Sequence, residues 1–218
     1  MRRLPPALLY RKNVHSQGGE DGVIGELLRR LPTRTNWVCE FGTLDGVQYS
    51  NTFRLVQEQG VHAVYIEADA TFFKSLQETC ASYPTILPIH KTVMIEGDSC
   101  LDSILAETPI PTDMDVLSID IDSYDYQVWK SVRTYHPKIV VIEINSSLPP
   151  THPGLIHGMG SPQGTGFLPM LQLGREKGYT LVCHTGNLIF IRNDLRGLVS
   201  DLLIREEDCY LSNWIFNN

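Results

Sequence analysis

The stretch "YTLVCHTGNLIFIRNDL", residues 179–195, decides the class of fold that this chain adopts. It contains two apolar runs, residues 180–184 and 187–192, with only a Thr-Gly pair between them. A connection of two residues cannot hold the crossover helix that parallel strands require, so we expect an antiparallel hairpin with Gly186 at positive φ. The sheet is therefore predicted to carry an antiparallel edge.

Strand and helix patterns alternate upstream of this hairpin, which is typical of an α/β protein. The strand candidates are rich in Val and Ile and lack strict alternation, as expected for strands covered on both faces. They are residues 37–41, 63–67, 86–93, 115–120 and 138–144. Helices are predicted at residues 23–31, 51–59, 71–81, 100–107, 124–133, 165–177 and 195–203. We therefore expect an α/β fold with a mostly parallel sheet and helices on both faces.

The composition limits the domain count and the classes of partner. With 42% hydrophobic residues, the 218-residue chain can form one core, so a single domain over residues 1–218 is expected. A net charge of −7 argues against binding to a nucleic-acid backbone. No segment is long and apolar enough to span a membrane. The five cysteines have no metal-binding spacing, so we expect reduced thiols and a cytoplasmic protein, with the oligomeric state left open.

The stretch "NWVCEFGTLDGVQYSNT", residues 36–52, passes from a predicted strand into an acidic, Gly-rich turn. In an open parallel sheet the ligand crevice lies beyond the carboxyl ends of the strands, which is where this turn belongs. Glu67 ends the next predicted strand, where a carboxylate can accept hydrogen bonds from ribose hydroxyls. The alternative is a plain tight turn and a solvated strand end. Together, the two features favour a pocket for an adenosine-type cofactor.

The charge of this turn distinguishes between cofactors. A dinucleotide needs a seat for its pyrophosphate, usually a G-x-G-x-x-G turn with little negative charge nearby. Here Leu44 replaces the second glycine, and Glu40 and Asp45 crowd the turn. That potential suits a cofactor with an ammonium and a sulfonium group. An NAD-dependent oxidoreductase and a noncatalytic cofactor-binding protein remain as alternatives.

At these residues the chain resembles class I S-adenosylmethionine-dependent methyltransferases, whose first motif is an acid followed by x-G-x-G-x-G. More narrowly, "SQGGEDGVIGELL", "EFGTLDGVQYSNT", "LSIDIDSYDYQVWKSV" and "KIVVIEIN" resemble the FkbM-like methyltransferases, in that order. The resemblance covers residues 16–195. It implies a Rossmann-like, seven-stranded sheet that ends in an antiparallel hairpin. It also implies an N-terminal segment with a cofactor-covering helix (1–35), a core (36–205) and a substrate loop (146–164).

The resemblance implies which residues bind S-adenosylmethionine. They are Gln17, Glu40, Gly42, Asp45, Gly46, Ser50, Glu67, Ala68 and Asp98. The four residues of the acidic turn would line the methionine part, while Glu67 would hold the ribose with Ala68 beside it. Ser50 would meet the cofactor carboxylate or serve as a helix N-cap, and Asp98 would meet the adenine or start a helix. Gln17 precedes the helix that would close over the cofactor.

The reactive groups are expected beyond the fourth and fifth strands. Asp120 and Asp122 follow the fourth strand and are the catalytic candidates, although Asp122 and Asp125 could instead cap the next helix. The predicted substrate loop is long and rich in Pro and Gly, and it carries His152 and His157. A histidine can serve as a general base near neutral pH, and His157 is the first candidate.

A divalent metal is the alternative to a histidine base. Asp120 or Asp122 with Glu143 and Asn145 would offer Mg²⁺ a set of oxygen ligands, because alternation puts the last two on one face of their strand. We favour the route without metal, in which His157 takes the proton. The sequence thus predicts an S-adenosylmethionine-dependent methyltransferase that acts on a small molecule, most readily by O-methylation.

Overall fold

The computed structural model describes residues 4–122, 124–150 and 164–211 of the chain. The strands are β1 (Trp37–Phe41), β2 (His62–Glu67), β3 (Ile86–His90), β4 (Val116–Ile119), β5 (Ile139–Glu143), β6 (Tyr179–His184) and β7 (Asn187–Arg192). The α-helices are α1 (Glu20–Arg30), α2 (Phe53–Gln59), α3 (Ala70–Ser82), α4 (Leu101–Ala106), α5 (Asp125–Ser131) and α6 (Phe167–Glu176). Short 3₁₀ helices occupy Pro6–Tyr10, Gly97–Ser99, Asn193–Leu202 and Glu206–Cys209.

All seven strands form one sheet in the order β3-β2-β1-β4-β5-β7-β6. The first five are parallel, and β7 pairs antiparallel with both β5 and β6. The predicted mostly parallel, Rossmann-like sheet with a terminal antiparallel hairpin is confirmed, and Gly186 has the predicted positive φ of 121°. The strand order reverses between β1 and β4, so their carboxyl ends form the crevice where such folds bind ligands.

Apolar residues cover the sheet on both faces, because neighbouring positions of each strand point to opposite sides. Phe41 and Ile66 pack in one core cluster, which also contains Trp129. Val38 and Tyr65 belong to a second cluster on the other face. Two-sided burial explains why the strands showed no strict alternation of polar and apolar residues.

The last predicted helix was wrong in type. Residues 195–203 were expected to form an α-helix, but the segment Asn193–Leu202 is 3₁₀ and has a kink at Val199, where φ is −123°. A spacing of three residues between apolar positions fits the three-residue turn of a 3₁₀ helix as well as an α-helix. Only Val199 and Leu202 are buried in this segment.

The amino ends of the strands, opposite the crevice, are held by a buried ion pair. Asp115 is fully buried, and its carboxylate lies 2.8 Å from Lys138 Nζ. The same carboxylate accepts the backbone N–H groups of Thr35 and Asn36 at 2.9 Å. Burial opposes ionisation, but Lys138 and these amides lower the pKa of Asp115 below its usual range. This network is structural and remote from the crevice.

Two features of the chain bear on the expectations from composition. All five cysteines are free thiols, and Cys39, Cys183 and Cys209 are buried. They therefore contribute to packing and form no crosslinks within the chain. Among the helices that the structure describes, none combines the length and the apolar character needed to cross a membrane.

Candidate functional site

A cavity of about 330 Å³ lies at the carboxyl ends of β1, β2, β4 and β5, at the point where the strand order reverses. Its lining includes seven residues that the sequence singled out for the cofactor or for catalysis. They are Gln17, Glu40, Gly42, Ser50, Ala68, Asp120 and Asp122. Six further residues line it: Thr43, Leu44, Gln48, Tyr49, Ile121 and Glu143. The sequence motifs therefore converge on one cavity.

Glu40 lines this cavity and also organises the start of α2. Its buried carboxylate accepts hydrogen bonds from Ser50 Oγ at 2.7 Å, from Asn51 N at 2.8 Å, and from Thr52 N at 3.2 Å and Thr52 Oγ1 at 2.5 Å. Ser50 Oγ in turn accepts the N–H of Phe53 at 2.9 Å. Burial raises the pKa of Glu40, and these donors oppose that shift. The backbone N–H groups at the beginning of α2, which have no acceptor within the helix, are thus bonded within the chain.

The turn after β1 presses its backbone against the end of β4. Gly42 has φ 77°, and a Cβ added there would lie 1.8 Å from the carbonyl oxygen of Asp120. Leu44 adopts the left-handed conformation with φ 51°, although it stands where class I enzymes generally have glycine. Glu67 Oε2 accepts the Leu44 N–H at 2.8 Å and so holds this conformation. The turn therefore keeps the left-handed backbone conformation that glycine would allow at this position, although the residue there is Leu44.

Four residues predicted to bind the cofactor do not line the cavity. Asp45 accepts the N–H groups of two residues that follow it, which shapes the turn. A Cβ at Gly46 would lie 2.6 Å from Leu76 Cδ1, so this glycine permits close packing beneath the turn. Glu67 holds backbone amides, and Asp98 is exposed in the 3₁₀ helix Gly97–Ser99. Their contacts with a cofactor stay predictions.

Unusual backbone angles concentrate around the cavity. Within the described residues, four side-chain-bearing residues have positive φ, and three of them line it: Leu44, Tyr49 and Asp122. The left-handed conformation costs an L-residue roughly 1–2 kcal/mol. Such outliers cluster at functional sites, where the surrounding structure enforces them. Their position supports a functional role for this cavity.

Three carboxyl groups meet on one wall of the cavity. Asp120, Asp122 and Glu143 each place an oxygen within 4.8 Å of the others. Burial raises the pKa of Asp120 and of Glu143, and the neighbouring carboxylates raise both further. Carboxyl groups this close together are not all ionised readily, because each negative charge opposes the next.

This acidic group has donors that could hold a divalent cation, as the sequence suggested for Asp120 and Glu143. Asn145, the third predicted ligand, differs: its Oδ1 accepts hydrogen bonds from the N–H and the hydroxyl of Ser147. Asp122, which the sequence gave as an alternative to Asp120, joins the group instead. Metal binding stays a prediction.

The motif "SQGGED" positions Gln17 at the mouth of the cavity. Asp21 Oδ2 accepts three successive backbone N–H groups, at residues 14–16, at 2.8–2.9 Å. Glu20 Oε2 accepts the Gly18 N–H at 2.7 Å, and its Oε1 accepts the hydroxyl of Thr185 at 2.7 Å. The two acids therefore fix the loop that carries Gln17 and attach it to the β6–β7 turn.

A second, smaller cavity of about 170 Å³ adjoins the first and is largely apolar. Three residues line both: Gly42, Ala68 and Ile121. Apolar and aromatic side chains form most of the rest of its wall, and two polar residues complete it: Phe41, Ile66, Val93 and Tyr124, with Lys91 and Thr92. Such a slot suits a planar ring, whereas the larger cavity suits polar groups.

The C-terminal segment anchors the beginning of the predicted substrate loop, a contact that the sequence gave no signal for. Buried His184 accepts the N–H of Leu211 at Nδ1, so its Nε2 carries the proton and donates to Ser146 Oγ at 2.8 Å. Tyr210 Oη donates to the carbonyl oxygens of Ser146 and Leu148. Burial lowers the pKa of His184 to about 4, so it is neutral. The candidate bases His152 and His157 lie outside the described residues.

Solved structures show what the fold is similar to. No protein-family model and no curated protein matches the chain. The citrinin polyketide synthase CMeT domain superposes with a TM-score of 0.54 at 14% identity, covering 86% of this chain and 55% of that one. The CurJ carbon methyltransferase superposes with a TM-score of 0.54 at 14% identity, covering 85% of this chain and 56% of that one. An O-methyltransferase family protein from Burkholderia thailandensis superposes with a TM-score of 0.50 at 13% identity, covering 78% of this chain and 54% of that one.

The chain has the fold of these methyltransferases. It spans just over half of their length, 54–56%, so the likeness concerns the shared sheet and its helices. At such identities the likeness shows the fold and carries no substrate with it. The narrower FkbM-like resemblance stays a prediction.

Proposed function

We propose that this protein is an S-adenosylmethionine-dependent methyltransferase that acts on a small molecule, most readily on oxygen. One observation carries the proposal. The cavity at the switch point of the sheet is lined by four carboxyl groups. One of them, Glu40, accepts the backbone N–H groups at the beginning of α2, so these donors are not free for a ligand.

This arrangement argues against a dinucleotide cofactor. Nucleotide-binding folds of this class seat a pyrophosphate on the free N–H groups that open the helix after β1. Here Glu40 already accepts the N–H groups of Asn51 and Thr52, and Ser50 accepts that of Phe53. A pyrophosphate would meet a carboxylate in place of free donors. The NAD-dependent alternative therefore loses support.

The same site suits S-adenosylmethionine in charge and shape. Its sulfonium and ammonium groups are attracted by the ionised carboxyl groups among the four that line the cavity. The apolar second cavity suits the adenine ring, and Ala68, at the end of β2, lies between the two cavities. The paired cavities thus offer an apolar half and an acidic half, in agreement with the two ends of this cofactor.

The acceptor is proposed to be a neutral or cationic small molecule. Among the described residues that line the cavity, none is Lys, Arg or His. The sequence also has no Lys or Arg at residues 139–174, which include the predicted substrate loop. An anionic acceptor would find no counter-charge there, and the acidic lining would repel it. The expectation that nucleic acids are not substrates stays a prediction and agrees with this charge.

Methyl transfer to a hydroxyl requires alignment and a proton acceptor. The cofactor supplies a methyl group on a positively charged sulfur, which an oxygen attacks in line. Asp120 and Asp122 are proposed to orient the hydroxyl, because both line the cavity. His157 remains the proposed base. Burial raises the pKa of Asp120 and of Glu143, which favours proton uptake on that wall. The route through Mg²⁺ is not favoured.

Thermal unfolding in the presence of each cofactor tests this proposal. At one hundred times its Kd, a ligand specific to the folded state stabilises by about 2.7 kcal/mol. For a chain of this size that corresponds to a rise in Tm of roughly 5–10 °C. S-adenosylmethionine and S-adenosylhomocysteine should give this rise, and NADH should not. The opposite result would refute the proposal, and binding without transfer of a labelled methyl group to any small molecule would favour a noncatalytic role.

A further inference from the structure

We infer that the hydroxyl of Thr43 binds the carboxylate of the cofactor's aminoacyl end. The inference rests on the proposed function and adds a contact that the sequence motifs did not indicate. Thr43 lies between Gly42 and Leu44 in the turn after β1 and lines the larger cavity. Among the described side chains that line this cavity, it is the one with a buried polar atom that has no hydrogen-bond partner.

The hydroxyl of Thr43 is buried without a partner. The residue is 2% exposed, and its Oγ1 makes no hydrogen bond within the described part of the chain. Buried polar atoms nearly always have a partner, so an orphan that borders a ligand cavity calls for an explanation. Ser50, the other small hydroxyl residue of the lining, is already bonded to Glu40 and to the Phe53 N–H.

Hydrogen bonds fix the backbone on either side of Thr43, so the side chain can change its position only by rotation. Its carbonyl oxygen accepts the Gly46 N–H at 2.7 Å, and Glu67 holds the next residue through the Leu44 N–H. Oγ1 is shielded from solvent in this structure. Rotation about the Cα–Cβ bond to another staggered rotamer exchanges the positions of the hydroxyl and the methyl group.

The chemistry of the cavity decides which ligand group needs this hydroxyl. The acidic lining attracts an ammonium group but repels a carboxylate, so the carboxylate depends on neutral donors. Ser50 already donates its proton to Glu40. The other neutral donors of the lining, Gln17, Gln48 and Tyr49, are exposed and can bond to water instead. Thr43 can donate, and it lies in the polar cavity, away from the apolar slot that suits the adenine.

Titration calorimetry with two ligands tests the contact. S-adenosylhomocysteine carries the aminoacyl carboxylate, whereas S-adenosyl-3-thiopropylamine lacks it and keeps the ammonium group. Thr43→Val should weaken S-adenosylhomocysteine about tenfold, the usual effect of losing a hydrogen bond to a charged group. The same variant should change the Kd of the thiopropylamine less than about twofold. Thr43→Ser, which keeps the hydroxyl, should restore most of the affinity for S-adenosylhomocysteine.

Thr165→Val is the matched control. Thr165 is 1% exposed and its Oγ1 likewise has no partner in the described chain, but it does not line the cavity. Its substitution should leave both Kd values unchanged. Because Thr43→Val removes an unpaired buried hydroxyl, its Tm without ligand should be no lower than that of the wild type. If that variant fails to fold, Thr43→Ala provides the same comparison with Thr43→Ser.

The possible results separate this inference from the proposed function. If the wild type binds S-adenosylhomocysteine and Thr43→Val binds it equally well, the inference is overturned and the proposed function stands. Equal weakening of both ligands would also overturn it, because the lost contact would not involve the carboxylate. If the wild type binds neither ligand, the proposed function fails, and the inference fails with it.

Discussion

Substitution of Glu40 by alanine should destabilise the protein strongly, because this side chain connects β1 to the beginning of α2. The variant removes an acceptor of four hydrogen bonds, two of them from the backbone N–H groups of Asn51 and Thr52. Each buried donor left unpaired costs about 1–3 kcal/mol. The two hydroxyls can rotate to other partners. The Asn51 N–H cannot, and the Thr52 N–H keeps only a 3.2 Å contact with Ser50 Oγ. We therefore expect a loss of about 3 kcal/mol in the free energy of unfolding.

Urea unfolding followed by circular dichroism measures this loss, and thermal unfolding should show a decrease in Tm of roughly 6–12 °C. Glu58→Ala is the matched control. Glu58 is paired with Arg54 at 2.9 Å on the surface of α2, and its side chain is 43% exposed. Exposed ion pairs of this kind contribute little to stability, so the free energy of unfolding of Glu58→Ala should differ from that of the wild type by less than about 0.5 kcal/mol. A loss below about 1 kcal/mol for Glu40→Ala, with an unchanged m-value, would refute the assigned role of Glu40.

Three further predictions concern other parts of the molecule. Gly42→Ala should lower the free energy of unfolding, measured in urea, by about 3 kcal/mol or more, because the added Cβ would overlap the Asp120 carbonyl. A decrease below about 1 kcal/mol would contradict the close approach of β1 and β4. Asp115→Asn should lower the free energy of unfolding by about 3 kcal/mol at pH 7, because buried Lys138 loses its close carboxylate and keeps Asp113, whose carbonyl oxygen lies at 2.9 Å and whose carboxylate at 3.8 Å. Since the pKa of Asp115 is lowered in the folded state, its stabilisation is present above the unfolded pKa and is lost as the pH falls through the folded pKa. The difference between the two proteins should therefore decrease as the pH falls below the unfolded value of about 3.9, and a constant difference would contradict this. Once an acceptor is known, turnover should survive EDTA and be lost in His157→Ala; loss on chelation that Mg²⁺ restores would favour the metal route instead.

Local sequence signals predicted the sheet well, because they depend on residues close together in the chain. The Thr-Gly pair between two apolar runs was sufficient to predict the antiparallel edge, which the structure confirms. The convergence of Glu40, Ala68 and Asp120 on one cavity followed from a topological rule, since the carboxyl ends of parallel strands meet at one edge.

Features that depend on contacts between distant segments were not predictable in this way. The hydrogen bonds of His184 to Ser146 and Leu211 join three distant parts of the chain, and no local sequence pattern predicts them. Thr43 was missed because its significance is an unpaired hydroxyl, which appears only when its surroundings are known. The 3₁₀ character of the last helix was missed because a three-residue apolar spacing fits both helix types.

The central claim is that the acidic cavity at the switch point holds S-adenosylmethionine, and a crystal structure with S-adenosylhomocysteine tests it most directly. We predict that the adenine occupies the apolar slot beside Ile66 and that the aminoacyl end lies in the larger cavity beside Glu40 and Thr43. The hydrogen bonds from Asn51 and Thr52 to Glu40 should persist in the complex. Electron density for this ligand outside the two cavities would contradict the account, and so would a complex with NADH whose pyrophosphate displaces Glu40 from the beginning of α2.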